Sequence, residues 1–373
     1  MNDSAPGVWA DANWDIADPA DVGMDAAAIT EAISFHKELE SDADRDLSKG
    51  LMSVLGNTEP PEWAVVLGPT RPRGDPNGLI LRHGKLVSEW GDTQRADMTF
   101  SATKSYLGVI AGVAVEQGLI KSIDDPMRDY ALDDGFDSDQ NKNITWRHLL
   151  QQASEWEGTL FDKPDMVDRN RFVGAGADNS KKGTHRDLKR PGEYYEYNDV
   201  RVNRLALSLM QVFRKPLPEV LKEHIMDPIG ASDTWEWLGY DNAWMEIDGR
   251  RMQSVPGGGH WGGGLFISSR DHARFGSLIL NHGRWGTRQI MAEDWVDALI
   301  EPSACNANYG FMWWLNTDRT LYPSAPASSF FALGAGSNLV WLDRELGLVA
   351  VFRWIKQRGI DGLIGKVMEA IKD

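Results

Sequence analysis

Cysteine is almost absent from this sequence. Cys305 stands alone among 373 residues, so no intrachain disulfide framework and no cysteine-built metal site can form. A lone thiol of this kind is expected to be small and inert. Long apolar runs are missing too: the longest clean one, Leu107 to Val115, falls far short of the ~20 residues that span a bilayer. Positive charge is scarce, with 39 basic side chains against 55 acidic ones and a net charge of −16. Such a surface repels phosphate backbones and anionic membranes, so neither nucleic acid nor membrane is an expected partner. The histidines include no His-x-x-x-His and no close pair, which leaves a zinc hydrolase without ligands. No Gly-x-Ser-x-Gly occurs, which removes the nucleophile elbow of the α/β-hydrolases. The opening residues Met1 to Asp11 are acidic, with neither the basic nor the apolar stretch of a secretory leader; they predict a cytoplasmic protein.

The excess lies in tryptophan, with 16 residues. Otherwise the composition is that of a soluble globular chain, 42% hydrophobic and 25% charged,. The length argues for more than one cooperative unit. Residues 1–24 are polar and turn-rich and read as a lead-in arm. Asp25 to Glu40 has the spacing of a helix, and residues 41–75 look irregular,. Gly78 to Gly84 and Lys85 to Trp90 read as two short strands joined by a His-Gly turn,. A strongly apolar helix is predicted from Ser101 to about Gln117,.

From Asp124 to Trp237 the pattern is helices and long loops, clearest at Ile144 to Ala153 and Asp199 to Phe213. A Gly-rich stretch, Gly257 to Gly264, then leads into the strand Leu265–Ile267, and Ser268 is placed to cap a helix with Asp271 in its first turn,. Phe330–Ala332, Leu339–Leu342 and Leu348–Trp354 are β-rich, and Ile360 to Lys372 is a closing amphipathic helix. Strands at both ends and helices between them predict a sheet built from N- and C-terminal segments, with a mainly helical region inserted. We expect a discontinuous α/β sheet domain, 1–100 with 257–373, and a helical domain, 101–256, with the active site at their interface.

The chemistry concentrates at Thr99-Phe-Ser-Ala-Thr-Lys104. Ser101 and Lys104 are three apart at the start of an apolar helix, so both project to one side. A hydroxyl becomes a nucleophile when a neighbouring base removes its proton, and a buried lysine can serve. The helix N-terminus adds N–H groups that can hold an oxyanion. Gly257, Gly259 and Gly262 satisfy Gly-x-Gly-x-x-Gly, yet a strand follows where nucleotide binding needs a helix,. Asp137-Ser-Asp139-Gln-Asn141 opens like a calcium loop, but Lys142 and His148 stand where Gly and Glu are required,.

Taken together, the sequence resembles the serine β-lactamase and penicillin-binding-protein superfamily, in the branch of class C β-lactamases, esterases and 6-aminohexanoate-dimer hydrolases. Ser-x-x-Lys at Ser101 is that family's first motif,. The likeness spans roughly residues 75–355. It includes Ile144 to Ser154, Pro191-Gly192 leading into Tyr197-Asn-Asp199, Met226 to Gly230 and Gly262 to Ser268. The resemblance implies an α+β fold of the β-lactamase/transpeptidase type, an antiparallel sheet flanked by helices, and no cofactor or metal. It implies Tyr197 as the proton-shuttling tyrosine, with Tyr194 and Tyr195 as competitors. It implies Ala332-Leu-Gly334 as the third motif, with the backbone N–H groups of Ser101 and Ala335 as oxyanion hole.

Two residues depart from the family pattern. Ala332 stands where a lysine would help bind a β-lactam carboxylate, and Asp199 stands where the family has asparagine. Asp199 is expected to keep Lys104 as ammonium, leaving Tyr197 as the working base, and to disfavour anionic substrates. The expectation is a serine esterase or amidase acting through an acyl-enzyme on Ser101, with weak or absent β-lactamase activity. A second reading is an amidase on linear oligoamides, in which Asp199 holds a substrate ammonium. A third is a catalytically silent ligand-binding protein on the same fold. His260, Trp261 and Trp156 are expected to contact substrate, Trp313 and Trp314 to lie near the pocket, and Trp341 and Trp354 to belong to the core. The sequence leaves the oligomeric state open, a homodimer included.

Overall fold

The computed structural model of the chain describes residues 14–54, 59–173 and 177–372. The helices that frame the site are α1 (Ala26–Glu38), α2 (Thr103–Glu116), α3 (Asp199–Phe213), α4 (Ser269–Leu280) and α5 (Ile360–Ala370). The strands are β1 (Asn77–Arg82), β2 (Lys85–Trp90), β3 (Asp97–Met98), β4 (Glu236–Leu238), β5 (Gly264–Ile267), β6 (Trp314–Leu315), β7 (Phe330–Gly334), β8 (Asn338–Asp343) and β9 (Leu348–Arg353).

Six strands form one antiparallel sheet in the order β6-β7-β8-β9-β1-β2. The expected assembly from the two ends of the chain is therefore present. The β1–β2 hairpin turns on His83 and Gly84, both at positive φ (48° and 82°), as a tight right-twisting hairpin requires. Side chains alternate across the sheet. Leu79, Leu81, Val349 and Val351 enter the core shared with α4. Ile80, Ala350 and Phe352 enter a second core with α1 and α5, among Ile29, Leu363, Ile364 and Val367. Helices thus cover both faces, which is why β1 and β9 are buried along their whole length.

The first core continues through α2 into the middle segment, reaching Trp146, Val200, Leu205 and Leu209. A small sheet, β3-β5-β4, ties the strand before Ser101 to the strand after the Gly-rich stretch. Ser268 caps α4, its Oγ accepting from the Asp271 N–H at 3.0 Å.

Several local readings change. The helix expected over Ile144 to Ala153 is shorter, Trp146–Leu150 capped by Thr145, because Gln152 turns to φ 51°. The irregular segment contains a helix, Leu47–Val54. The lead-in arm is docked over its described part: Trp14 is buried, Ile16 bridges to Leu86 and Met24 to Ile371. Residues 1–13 of that arm lie outside the described residues. Among the described residues no helix is long and apolar enough to cross a membrane.

Candidate active site

The chain reaches Ser101 through β3 and a 3-10 turn, Phe100–Ala102, before α2 begins. Phe100 sits at φ 50°, a conformation costly for a bulky side chain. Its ring is fully buried, edge-on to Trp354 at 6.3 Å, and that packing holds the turn. Ser101 stays half-buried at the helix start while Lys104 is enclosed. Lys104 Nζ donates to Ser101 Oγ at 2.9 Å. The same ammonium meets Asp199 Oδ1 at 2.5 Å and lies 4.8 Å from the centre of the Tyr197 ring. Of the three neighbouring tyrosines it is Tyr197 whose ring faces Lys104. Tyr194 lies under Arg186 and Tyr195 packs on Tyr309.

Asp199 is the hub of a buried charge network. Its Oδ2 accepts from Arg171 Nη1 at 2.7 Å and lies 2.7 Å from His260 Nδ1. The other ring nitrogen of His260 lies 2.7 Å from Glu59 Oε1, which also meets Lys182 Nζ at 2.7 Å. Asp168 joins Lys182 at 3.3 Å and Arg171 at 3.1 Å, and accepts from the Asp199 backbone N–H at 2.8 Å. Burial alone would neutralise Asp199, but Lys104, Arg171 and His260 hold its carboxyl well below the usual range,. Burial likewise pushes the Lys104 ammonium down, and Asp199 and Tyr197 together more than offset this, so its pKa is raised. The contact with Asp199 thus favours the ammonium form of Lys104, the form that donates to Ser101. Glu59, Asp168 and His260 bring one ligand atom each within 4.8 Å of one another, but an ammonium already occupies the set. The cation seated against both carboxylates is Lys182.

Backbone closes the site from two sides. A Cβ on Gly258 would stand 2.8 Å from Lys104 Nζ, 3.2 Å from Ser101 Oγ and 3.3 Å from Asp199 Oδ1, so glycine lets the loop pass directly over the pair and any larger residue must push these groups aside. At the end of β7, a Cβ on Gly334 would strike Thr99 O at 2.0 Å and Ala102 N at 3.2 Å. Ala335 follows at once, next to the Ser101 turn. Asn338 Nδ2 donates to Ala335 O at 2.6 Å, and Arg353 Nε donates to Asn338 Oδ1. Arg353 Nη2 also donates to Asp97 O at 3.1 Å and Met98 O at 3.0 Å. One buried guanidinium thus braces both the strand before Ser101 and the loop at Ala335. His272 of α4 spans the nucleophile turn from below, contacting the Thr99 hydroxyl at 2.7 Å and the Tyr106 hydroxyl at 2.9 Å. Burial, with the Arg353 charge, keeps His272 neutral by pushing its pKa well down.

The structure brings together Ser101, Lys104, Tyr197, Asp199 and His260. It does not bring the expected tryptophans to a surface that a substrate could touch. Trp156 is buried and donates to Gly135 O at 2.7 Å. Trp261 is wholly buried, stacked on His260 at 4.0 Å and donating to Trp63 O at 2.6 Å. Both are packing residues because their indole N–H groups are used on backbone carbonyls. His260 is enclosed with its two nitrogens on carboxylates, so it acts on Asp199 instead of contacting substrate. Asp199 is buried against Lys104, Arg171 and His260, which leaves a substrate ammonium no open approach to it. Trp314 does reach the site, stacked 5.4 Å from the Tyr197 ring, whereas Trp313, Trp341 and Trp354 are core. Arg171, Asp168, Glu59 and Lys182 went unread in the sequence; they come from loops without periodicity, and no local motif marks them.

A family model described as Beta-lactamase matches residues 79–358. No curated protein sequence matches the chain. Among solved structures, a putative beta-lactamase from Bacteroides dorei DSM 17855 superposes with a TM-score of 0.56 at 18% identity, covering 80% of this chain and 94% of that one. A putative 6-aminohexanoate-dimer hydrolase from Bacillus anthracis gives 0.55 at 16% identity, covering 90% and 85%. A family VIII carboxylesterase gives 0.55 at 16% identity, covering 79% and 92%. At such identities the structural likeness bears on the fold.

Proposed function

The chain belongs to the beta-lactamase family, and from that premise we propose that it is a serine hydrolase cleaving a carboxylic ester or amide through an acyl-enzyme on Ser101. The observation that carries this reading is the 2.9 Å contact between Lys104 Nζ and Ser101 Oγ, with the backbone of Gly258 drawn over both. Ser101 Oγ attacks the acyl carbonyl. Lys104 is held as ammonium by Asp199 and cannot accept the proton, so in this reading the acceptor is the oxygen of Tyr197 in its phenolate form, whose ring lies against Lys104. The backbone N–H groups of Ser101 and Ala335 hold the tetrahedral oxyanion, a donor pair in which losing one member costs on the order of 10²–10³ in rate. Tyr197 protonates the leaving group, then draws a proton from the water that releases the acyl group.

Ala332 supports weak or absent β-lactam turnover, because no charged side chain stands at that position of β7. Asp199 is enclosed by Lys104, Arg171 and His260, which speaks against a substrate ammonium at that carboxylate and so against the linear-oligoamide reading. Ester and amide are then separated by experiment. Intact mass after reaction with a fluorophosphonate should show one adduct, absent in Ser101→Ala. A panel of p-nitrophenyl esters, linear amides and a chromogenic cephalosporin then ranks substrates, with the cephalosporin last. A wild-type chain that takes no label would assign it to the silent ligand binders of the same fold. A cephalosporin turned over as fast as the esters would overturn the argument from Ala332.

A further inference from the structure

Both ring nitrogens of His260 lie 2.7 Å from carboxylate oxygens, Nδ1 from Asp199 Oδ2 and Nε2 from Glu59 Oε1. A neutral imidazole has one donor and one acceptor nitrogen. Its acceptor lone pair would then face a carboxylate at hydrogen-bond distance in a site sealed from water, which is repulsive on either tautomer. Only the imidazolium donates at both ends. We propose that His260 is a buried imidazolium that, with Glu59, positions Asp199 against Lys104, so that the proton on His260 is required for the chemistry of Ser101.

The surroundings agree with that assignment. His260 and Glu59 are 1% and 2% exposed in their side chains. Among the described residues, the titratable groups that face the imidazole include Asp199 of α3, Glu59 of the segment between the Leu47–Val54 helix and β1, and Asp168 of the turn at 165–168. The cations Arg171 and Lys182 stand behind those carboxylates. Burial disfavours the charged ring, yet the hydrogen bonds to Asp199 and Glu59 prevail and raise its pKa. Glu59 is brought down to about 2 against its own burial by His260 and Lys182. Among the described residues the network then holds four cations, Lys104, Arg171, Lys182 and His260, against the carboxylates of Glu59, Asp168 and Asp199. The surplus positive charge sits beside the place where negative charge develops during acyl transfer. When His260 loses its proton, that surplus disappears and one of the two carboxylates must turn away. If Asp199 turns, Lys104 loses its partner. His260 and Glu59 are positioning residues in this scheme, since neither touches the acyl group.

The inference rests on the acyl-transfer reading of Ser101 and is tested by a measurement that does not need turnover. In the full chain labelled with ¹⁵N-histidine, both His260 nitrogens should resonate as protonated at neutral pH, with the signal assigned by its loss in His260→Asn. The rate of Ser101 labelling by a fluorophosphonate should fall on the alkaline side at the pH where His260 titrates. Glu59→Gln should move both midpoints down by about 1–3 pH units, and Lys182→Met should move both up, because each alters the charge beside the ring. A neutral His260 tautomer at neutral pH overturns the proposal. So does an alkaline limb that stays fixed while the His260 resonance shifts. A chain that takes no label at any pH defeats the hydrolase reading instead, and the imidazole resonances still decide the protonation of His260.

Discussion

Where the resemblance calls for a neutral amide, the chain carries Asp199, and the structure surrounds that carboxylate with Lys104, Arg171 and His260. A buried carboxylate with a single partner is unstable; one with several is a fixed part of the frame. Its consequence for Lys104 was legible from the sequence, since a carboxylate beside an ammonium favours the charged form. Its consequence for substrate charge was not, because Arg171 and His260 lie 28 and 61 positions away from it in the chain and no spacing rule joins them. Trp261 is the matching case among the aromatics. Its place in the Gly-rich stretch suggested a pocket wall, and the structure spends it on Trp63 and His260 instead. Trp261→Ala is accordingly expected to lower stability by about 3–5 kcal/mol in denaturant unfolding. It should reduce kcat/KM by the same factor for bulky apolar and acetyl esters. A KM raised for bulky esters alone would return Trp261 to the pocket.

At the scale of elements, the nucleophile turn is gripped by three pieces of backbone: β3 before it, Gly334 beside it and Gly258 above it. Gly258 is not at positive φ, so alanine is permitted there by the backbone and refused only by Lys104, Ser101 and Asp199. Gly258→Ala should leave the unfolding midpoint near that of the parent chain while kcat/KM drops by about 10²-fold, the penalty for misplacing reacting groups by roughly an ångström. A variant that loses stability and activity together would mean that the stretch is structural. The hairpin, α3, α4 and the C-terminal strands were all legible, because hydrophobic periodicity, the His83-Gly84 turn and the Ser268 cap are local signals. The boundary of the Trp146–Leu150 helix was not, since it depends on Gln152 adopting positive φ, with its side chain bonded to Asn198 and Tyr309. The Arg353–Asn338 brace escaped for the same reason: strand residues read as core give no sign of the carbonyls they will hold.

For the whole molecule, the buried charges set a window of stability. Asp199 and Glu59 have depressed pKa values. Their contribution is therefore present above the ordinary carboxylate range near 4 and is lost as pH falls through their folded values, about 2 for Glu59,. His260 has a raised pKa, so its contribution is present below the ordinary histidine range and is lost as pH rises through the folded value. Denaturant midpoints measured from about pH 3 to about pH 10 should therefore peak between the two limbs. The alkaline decline should vanish in His260→Asn. A midpoint that keeps climbing above neutrality would contradict the sign of the His260 shift.

The register of the main sheet carries one more consequence, for the order in which the protein can be made. β1 lies between β2 and β9, with Leu79 opposite Val351 and Ile80 opposite Ala350. A chain leaving the ribosome completes its N-terminal hairpin early and then waits for almost all of the rest before the neighbour of β1 exists. Throughout that interval the hairpin presents an unpaired apolar edge, the exposure that invites aggregation and chaperone capture. Arg353, at the end of β9, is also the residue that fastens the strand before Ser101. The brace that Arg353 gives the strand before Ser101 is therefore missing until the last strand of the sheet has emerged.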